Sequence, residues 1–276
     1  MGTMERRRTW PARSTADFGA GRSNSRRPGG SFTDARRRIL ILRSAAGWVS
    51  FSESSGSSDG AMNEDLADRV RQIESLGAAI ALCRICRDKP AGGLVKRLPH
   101  EPNPVAVLSA TARVLIAGQA PGLRVHETSL PFNDASGDRL RAWLDVGRDD
   151  FYDRTKFAII PMGFCFPGYD AKGSDLPPRR ECAPHWRARV LEAMPQIELV
   201  LAIGQYAQAW HLGSRRSASM TETVREWRRH LDRNERPAVL PLPHPSWRNT
   251  GWLKRNPWFS QELLPELQRR VKSLVT

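Results

Sequence analysis

Four cysteines stand out in this chain of 276 residues because their spacing could bind a metal. Cys83 and Cys86 form a CxxC pair, and Cys165 and Cys182 follow far downstream. Thiolates ligate iron and zinc, and a CxxC pair lets two of them bind one ion or cluster from a single turn. The alternative is a set of buried free cysteines, which are common in folded proteins. The spacing favours a metal centre built by two distant segments.

Glycine, proline and histidine concentrate in four short turns that could build a ligand site. The turns are Gly118-Gln-Ala-Pro-Gly122, Gly163-Phe-Cys-Phe-Pro-Gly168, Gly204-Gln205 and His244-Pro-Ser-Trp-Arg-Asn249. Each follows a short apolar run that predicts a β-strand, namely 113–117, 157–162, 198–203 and 238–242. Ligands bind at the carboxyl ends of the strands in an open parallel sheet. We therefore expect the four turns to meet at one edge of the sheet.

Segments with helical periodicity separate these strands. They cover 64–82, 136–146, 184–194, 205–212, 221–231 and 258–274, and Thr221 can cap the fifth. Strands that alternate with helices predict a parallel sheet covered on both faces. The predicted fold class is α/β, a three-layer α/β/α domain around a central four-stranded parallel sheet.

The charge balance indicates a polyanionic partner. The net charge is +14, with 43 lysines and arginines against 29 acidic residues. Nucleic acid is the obvious partner, and a basic protein without such a partner is the alternative. No apolar run reaches the roughly 18 residues of a membrane helix. The chain has no signal-peptide core and too few cysteines for a disulfide scaffold, so we expect a cytoplasmic, monomeric protein.

Residues 1–61 differ in composition from the rest, being rich in Arg, Ser and Gly. Such a segment buries too little apolar surface to offset its ordering entropy, so we expect a disordered basic extension. It is either a tail that binds phosphates or the product of an upstream start site, with Met62 as the true start. The folded domain is predicted to cover 62–276.

The order of these motifs resembles that of the uracil-DNA glycosylase superfamily, and is most similar to its iron–sulfur bacterial and archaeal members. Gly118–Gly122, Pro131-Phe132 nine residues later, and Ser136-Gly137 before a helix are similar to the first family motif. His244-Pro245-Ser246 resembles the second. The resemblance covers roughly 75–270 and implies a 4Fe–4S cluster on the four cysteines, although a tetrahedral zinc site is chemically possible.

The resemblance also implies roles in hydrolysing the N-glycosidic bond of a flipped-out base. Phe132 would stack on the base, and a neutral His244 would stabilise its developing negative charge. The backbone amides of the loop formed by Gly118, Gln119, Ala120, Pro121 and Gly122, in which Pro121 itself has no N–H, would face the base or a phosphate. Ser246 belongs to the second motif, and Arg248 falls where the family inserts a wedge into DNA. The alternatives are a core Phe, an exposed His and an ordinary turn.

Three positions depart from the family pattern. Gln119 replaces a Glu, Val125 stands where a water-activating acid is expected, and Pro161 replaces an Asn that reads the base edge. His126, Glu127 or Asp134 could supply the missing function for the water. Asn133, Asp134 or Asn249 could read the base.

The sequence thus predicts a monofunctional DNA glycosylase that removes uracil or another deaminated base during base-excision repair. The departures keep a second hypothesis open, a catalytically impaired nucleic-acid-binding protein with the same fold. An unrelated metalloprotein with a small substrate is a weaker alternative.

Overall fold

The computed structural model describes residues 57–232 and 235–276, excepting the side chains of 57–62. The predicted basic extension therefore lies outside the described residues, apart from its last five, which belong to the first helix. No helix in these two ranges is both long and apolar enough to cross a membrane.

A four-stranded parallel sheet forms the centre of the domain. Its strands are β1 (Val114–Ala117), β2 (Phe157–Ile159), β3 (Leu199–Ile203) and β4 (Ala238–Leu242). Their spatial order is β2-β1-β3-β4, and all three neighbouring pairs are parallel. The predicted sheet is confirmed, but β2 ends at Ile159 and not at Met162. The amides of Ile160 and Met162 still donate to the carbonyls of Ile116 and Gly118, both at 2.9 Å, so the pairing with β1 continues into the turn.

Helices cover the connections between the strands. They are α1 (Ser57–Ala81), α2 (Ile85–Asp88), α3 (Leu123–Thr128), α4 (Ala135–Leu144), α5 (Arg148–Tyr152), α6 (Cys182–Glu192), α7 (Gly204–Leu212), α8 (Met220–Arg225), α9 (Trp227–Leu231), α10 (Thr250–Arg255) and α11 (Leu264–Val275). Short 3-10 turns lie at Leu94–Lys96, Gly213–Arg215 and Trp247–Asn249, and a π-helical turn at Phe259–Leu263 precedes α11.

Side chains that alternate along the strands divide the core into two halves. In β1, Leu115 and Ala117 point into one buried cluster, whereas Val114 and Ile116 point into the other. The first cluster is closed by α1, α6 and α7, and the second mainly by α4, α9 and α11. Both faces of the sheet are therefore buried, as expected when helical crossovers join parallel strands. The predicted three-layer α/β/α architecture is confirmed.

The helix predicted over 221–231 is two helices, α8 and α9, separated at Glu226. The first is capped by Ser219, not by Thr221. The Ser219 hydroxyl accepts from the Glu222 amide, and the Glu222 carboxylate accepts from the Ser219 amide. This reciprocal capping box outcompetes Thr221, whose hydroxyl instead accepts a bond from the Trp252 indole at 2.8 Å.

Candidate active site and cysteine cluster

One cleft lies at the carboxyl ends of the strands and is lined by residues from three of the four predicted turns. The remaining turn, Gly204-Gln205, does not line it, although a Cβ on Gly204 would lie 3.9 Å from the His244 Cβ. The volume of the cleft is about 660 Å³, within the usual range for ligand sites. Of the residues predicted from the sequence, it is lined by Gly118, Gln119, Ala120, Pro121, Gly122, Phe132, Asp134, His244, Ser246, Arg248 and Asn249. The strand order therefore brings together segments separated by more than 100 positions in the sequence.

Backbone hydrogen bonds fix the floor of the cleft. The amide of Met162 donates to the Gly118 carbonyl at 2.9 Å, and the amide of Gly163 donates to the Gln119 carbonyl at 3.0 Å. From below, the guanidinium of Arg187 donates to the carbonyls of Ile160 and Pro161, both at 3.2 Å. Arg187 is almost fully buried, and burial lowers its pKa to about 9, which leaves it charged at neutral pH. The turns after β1 and β2 thus form one rigid surface.

Phe132 forms a wall of the cleft and has a left-handed backbone conformation, with φ of 53°. Its carbonyl accepts hydrogen bonds from Arg141 and from the Tyr152 hydroxyl, both at 3.4 Å. The ring meets Phe151 edge to face at a centroid distance of 6.1 Å. A Cβ on Gly118 would lie 3.4 Å from this ring, so the glycine lets the ring lie close to the first turn.

Gly137 is what allows this conformation of Phe132. A Cβ built on Gly137 would overlap the Phe132 carbonyl oxygen and would lie 2.9 Å from the Phe132 Cβ. The start of α4 therefore packs against the Phe132 backbone at a distance that only glycine permits.

His244 follows β4 and faces the same cleft. Burial lowers the pKa of its imidazole, and the nearby Asp134 carboxylate only partly opposes that effect. The ring is therefore neutral at physiological pH and can donate one hydrogen bond. The side-chain amide of Asn249 donates to the His244 carbonyl at 2.7 Å, which holds the turn in place. Asn249 thus supports His244 with one of its two side-chain N–H donors.

A cationic and aromatic edge borders the cleft. Trp247 is 72% exposed, and the Arg248 guanidinium lies 5.8 Å from the centre of its ring. The backbone of this turn is fixed by Arg139, which donates to the Ser246 carbonyl at 2.8 Å. An exposed arginine and tryptophan on a fixed turn are suited to insertion beside an unstacked base.

Three residues considered from the sequence, His126, Glu127 and Asn133, do not line the cleft. His126 lies on α3 and faces His100 at a ring distance of 4.2 Å, while the neighbouring Val125 faces the cleft. Because successive residues of a helix point about 100° apart, α3 cannot present both side chains to the cleft. Asn133 instead turns its side-chain oxygen towards Arg148, at 3.5 Å.

Asp134 has a structural role as well as a place in the cleft. It is the N-cap of α4, and its carboxylate accepts from the Gly137 amide at 2.9 Å. Its negative charge lies close enough to His244 to influence the imidazole pKa.

Asp175 also lines the cleft, although its surroundings in the sequence gave no reason to select it. It lies within a loop rich in Gly and Pro, and nothing in its local pattern distinguishes it from Asp170. Its pKa is raised, chiefly by desolvation, while Arg248 opposes the shift and Asp134 adds to it.

The four cysteines line a second, small cavity together with Pro102, Pro104, Phe164 and Arg179. Cys83 and Cys86 come from the corner between α1 and α2, Cys165 from the turn after β2, and Cys182 from the first position of α6. All four are free thiols, and all but Cys83 are buried. Burial raises the pKa of Cys86 to about 11, that of Cys165 to about 12, and that of Cys182 further.

Hydrogen-bond donors already point at these sulfurs. The Trp186 indole N–H lies 3.2 Å from Cys83 Sγ, and the Phe164 amide lies 3.3 Å from Cys182 Sγ. Such donors stabilise sulfur that carries negative charge, as it does when it ligates iron. Within the described ranges, however, no three Cys, His, Asp or Glu side chains are arranged to hold a single metal ion.

A family model described as the Uracil DNA glycosylase superfamily matches residues 105–268, more than half of the chain. The match spans all four strands and the two turns that carry the predicted motifs. It also includes Cys165 and Cys182. It begins after Cys83 and Cys86.

Proposed function

The chain belongs to the Uracil DNA glycosylase superfamily, and on that premise we propose that it hydrolyses the N-glycosidic bond of a deaminated base in DNA. The observation that carries the proposal is the cleft in which the Phe132 ring and a neutral His244 face one space. The ring can stack on a flipped base, and the imidazole can donate to the base oxygen that becomes negative as the bond breaks.

Water is the nucleophile in this proposal, because no lysine lines the cleft within the part of the chain that the structure describes. A glycosylase that uses water is monofunctional and leaves an abasic site. Base excision of this kind belongs to DNA repair. The basic edge formed by Trp247 and Arg248 would hold the DNA.

The composition of the cleft supports a broader choice of base than uracil alone. Pro161 has no N–H to offer from the floor, and Asn133 faces elsewhere. The side chains of Gln119 and Ser246 line the cleft and form no hydrogen bond within the described ranges. A glutamine amide presents a donor and an acceptor together, which matches the adjacent N–H and C=O of uracil, hypoxanthine and xanthine.

The direct test uses single-stranded and double-stranded oligonucleotides that carry one uracil, hypoxanthine or xanthine. Purified protein should release at least one of these free bases and leave alkali-labile abasic DNA. A metal-loaded preparation that releases none of the three contradicts the proposal.

The apolar Val125 at the expected position of the water-activating acid favours a second candidate, a DNA-binding protein with impaired catalysis. That protein would bind DNA in a salt-sensitive manner without releasing a base. Its binding would be unchanged by His244→Ala, since the imidazole acts on the departing base and not on the DNA backbone.

The proposal includes a 4Fe–4S cluster held by Cys83, Cys86, Cys165 and Cys182. Four thiols line one cavity without an acidic or imidazole ligand, and donors point at two of the sulfurs. Iron–sulfur clusters take such an all-thiolate set. The cluster would be bound by all four thiols. When bound, it would join the corner between α1 and α2 to α6.

We expect Cys83→Ala, purified without oxygen, to lose iron and the visible absorbance that accompanies it. Its melting temperature should fall by roughly 5 °C or more, since about 2 kcal/mol of lost stability already gives such a shift in a domain of this size. Metal analysis, absorbance and thermal melting measure these changes.

Trp186→Phe is the matched control because it removes the N–H near Cys83 and keeps all four thiols. It should retain iron. Wild-type protein that is colourless, free of iron, folded and active would rule out the cluster, and one zinc per chain would replace it with a zinc site.

A further inference from the structure

Hydrolysis requires a group that accepts a proton from the attacking water, and of the positions selected from the sequence only Asp134 brings a carboxylate to the cleft. Val125 lines the cleft but has no polar atom. The imidazole of His126 faces His100 and Phe166, with ring distances of 4.2 and 6.2 Å. A general base has to reach the water in the cleft, either directly or through one further water.

Asp175 meets this requirement by position. Its carboxylate lines the cleft, and Oδ2 lies 3.8 Å from the place that a Cβ on Gly122 would occupy, so it faces the first turn. It forms no hydrogen bond within the described part of the chain, so its oxygens are free to accept from water. It is also exposed at the mouth of the cleft, where water can enter.

The segment that carries Asp175 is held in place by its own hydrogen bonds. Tyr169 and Asp175 form an antiparallel bridge, and the Leu176 amide donates to the Gly168 carbonyl at 2.9 Å. The Asp170 carboxylate accepts from the amides of Lys172 and Ser174, both at 2.9 Å. These bonds fix the backbone from which the Asp175 side chain extends towards the cleft.

We infer that Asp175 is the general base that activates the water, an inference that rests on the proposed glycosylase activity. Asp134 is the competing carboxylate in the cleft, but it already accepts the Gly137 amide as the N-cap of α4. Asp175 has no such commitment. The groups that face it are Arg248 from the turn after β4 and Asp134 from the start of α4.

In the proposed step, Asp175 takes one proton from the water molecule as the water oxygen forms a bond to C1′ of the sugar. The bond between C1′ and the base nitrogen breaks, and its electron pair leaves with the base. His244 donates a hydrogen bond to the base anion, which then takes up the proton held by Asp175.

The charge environment suits this role. Desolvation and Asp134 raise the pKa of Asp175, and Arg248 opposes them. A carboxylate with a raised pKa is a stronger base, provided that it stays ionised at the working pH. Because only the ionised form accepts a proton, the rate of base release should fall as the pH drops through that pKa.

The test compares single-turnover base release by wild type, Asp175→Asn and Asp149→Asn between mildly acidic and neutral pH. Asp175→Asn should be slower by about 10²- to 10⁴-fold, the usual contribution of a general base, and should lose the acidic limb of the profile. Its affinity for substrate DNA should change little. Asp149→Asn makes the same chemical change on α5, at an exposed position outside the cleft, and should keep the wild-type rate and profile.

Three outcomes overturn the inference. Asp175→Asn with the wild-type rate and pH profile excludes Asp175 as the base while the proposed function stands. Loss of rate and acidic limb in Asp134→Asn, but not in Asp175→Asn, assigns the role to Asp134. Wild-type protein that releases no base removes both the inference and the proposed function.

Discussion

Replacing His244 with alanine is expected to slow base release about 100- to 1,000-fold, the usual effect of removing one donor from an oxyanion hole. The imidazole is neutral because burial lowers its pKa, so it stabilises the departing base as a donor and not as a cation. The loss should appear in the single-turnover rate. The affinity for DNA should change little, because the interaction strengthens only as the base becomes an anion.

His244→Gln should recover part of the rate, since an amide N–H can also donate. His185→Ala is the control, because His185 is exposed on α6 and does not line the cleft. A His244→Ala enzyme that releases bases at the wild-type rate would show that another donor stabilises the leaving group.

The same lowered pKa has a consequence for stability. The imidazole of His244 takes up a proton more readily in the unfolded chain, where its pKa is near 6.5, than in the folded protein. The free energy of unfolding should therefore decrease as the pH falls below about 6.5, and His244→Ala should weaken that dependence. Denaturant unfolding curves recorded at several pH values measure this pH dependence of the free energy of unfolding.

Gly137→Ala is expected to lower the free energy of unfolding by at least about 3 kcal/mol, or roughly 6–12 °C in melting temperature. The new methyl group would overlap the Phe132 carbonyl oxygen, and backbone cannot move aside as a flexible side chain can. Any folded fraction should also release bases slowly, because relief of the overlap requires Phe132 to leave its place in the cleft. Thermal melting and single-turnover kinetics measure both effects.

Gly77→Ala is the matched control. Gly77 lies within α1, and a Cβ there would meet no atom within 4 Å. Alanine should raise the stability by about 0.5–1 kcal/mol, because it loses less backbone entropy than glycine on folding. Equal melting temperatures for Gly137→Ala and wild type would show that the α4 start can separate from Phe132 at little cost.

The sheet and the meeting of its loops could be predicted because both follow from local patterns. A run such as 199–203 is apolar throughout and too short for a helix, and alternation with helices specifies parallel strands. Once the strands are parallel, His244 and Gly118 must lie at the same edge. The fold and the approximate place of the cleft therefore need no long-range information.

The direction of individual side chains could not be predicted in the same way. Val125 and His126 are adjacent, and only the rotation of α3, a short helix absent from the sequence prediction, determines which one faces the cleft. Asp175 reaches the cleft through the closure of its own loop, which depends on hydrogen bonds between backbone groups several residues apart. Neither the direction of the α3 side chains nor the position of Asp175 follows from residue types at a fixed spacing in the sequence.

The left-handed conformation of Phe132 means that this wall of the cleft is preorganised before any nucleic acid arrives. Holding a residue other than glycine in that region costs about 1–2 kcal/mol, which the surrounding contacts with Arg141 and Tyr152 offset during folding. A base that enters then meets a ring that needs no further ordering, and the entropic cost of positioning it is absent from the binding step. Substitutions that let residue 132 leave the left-handed conformation would make the protein more stable and a poorer catalyst. Folding and turnover therefore place opposite demands on this one peptide unit.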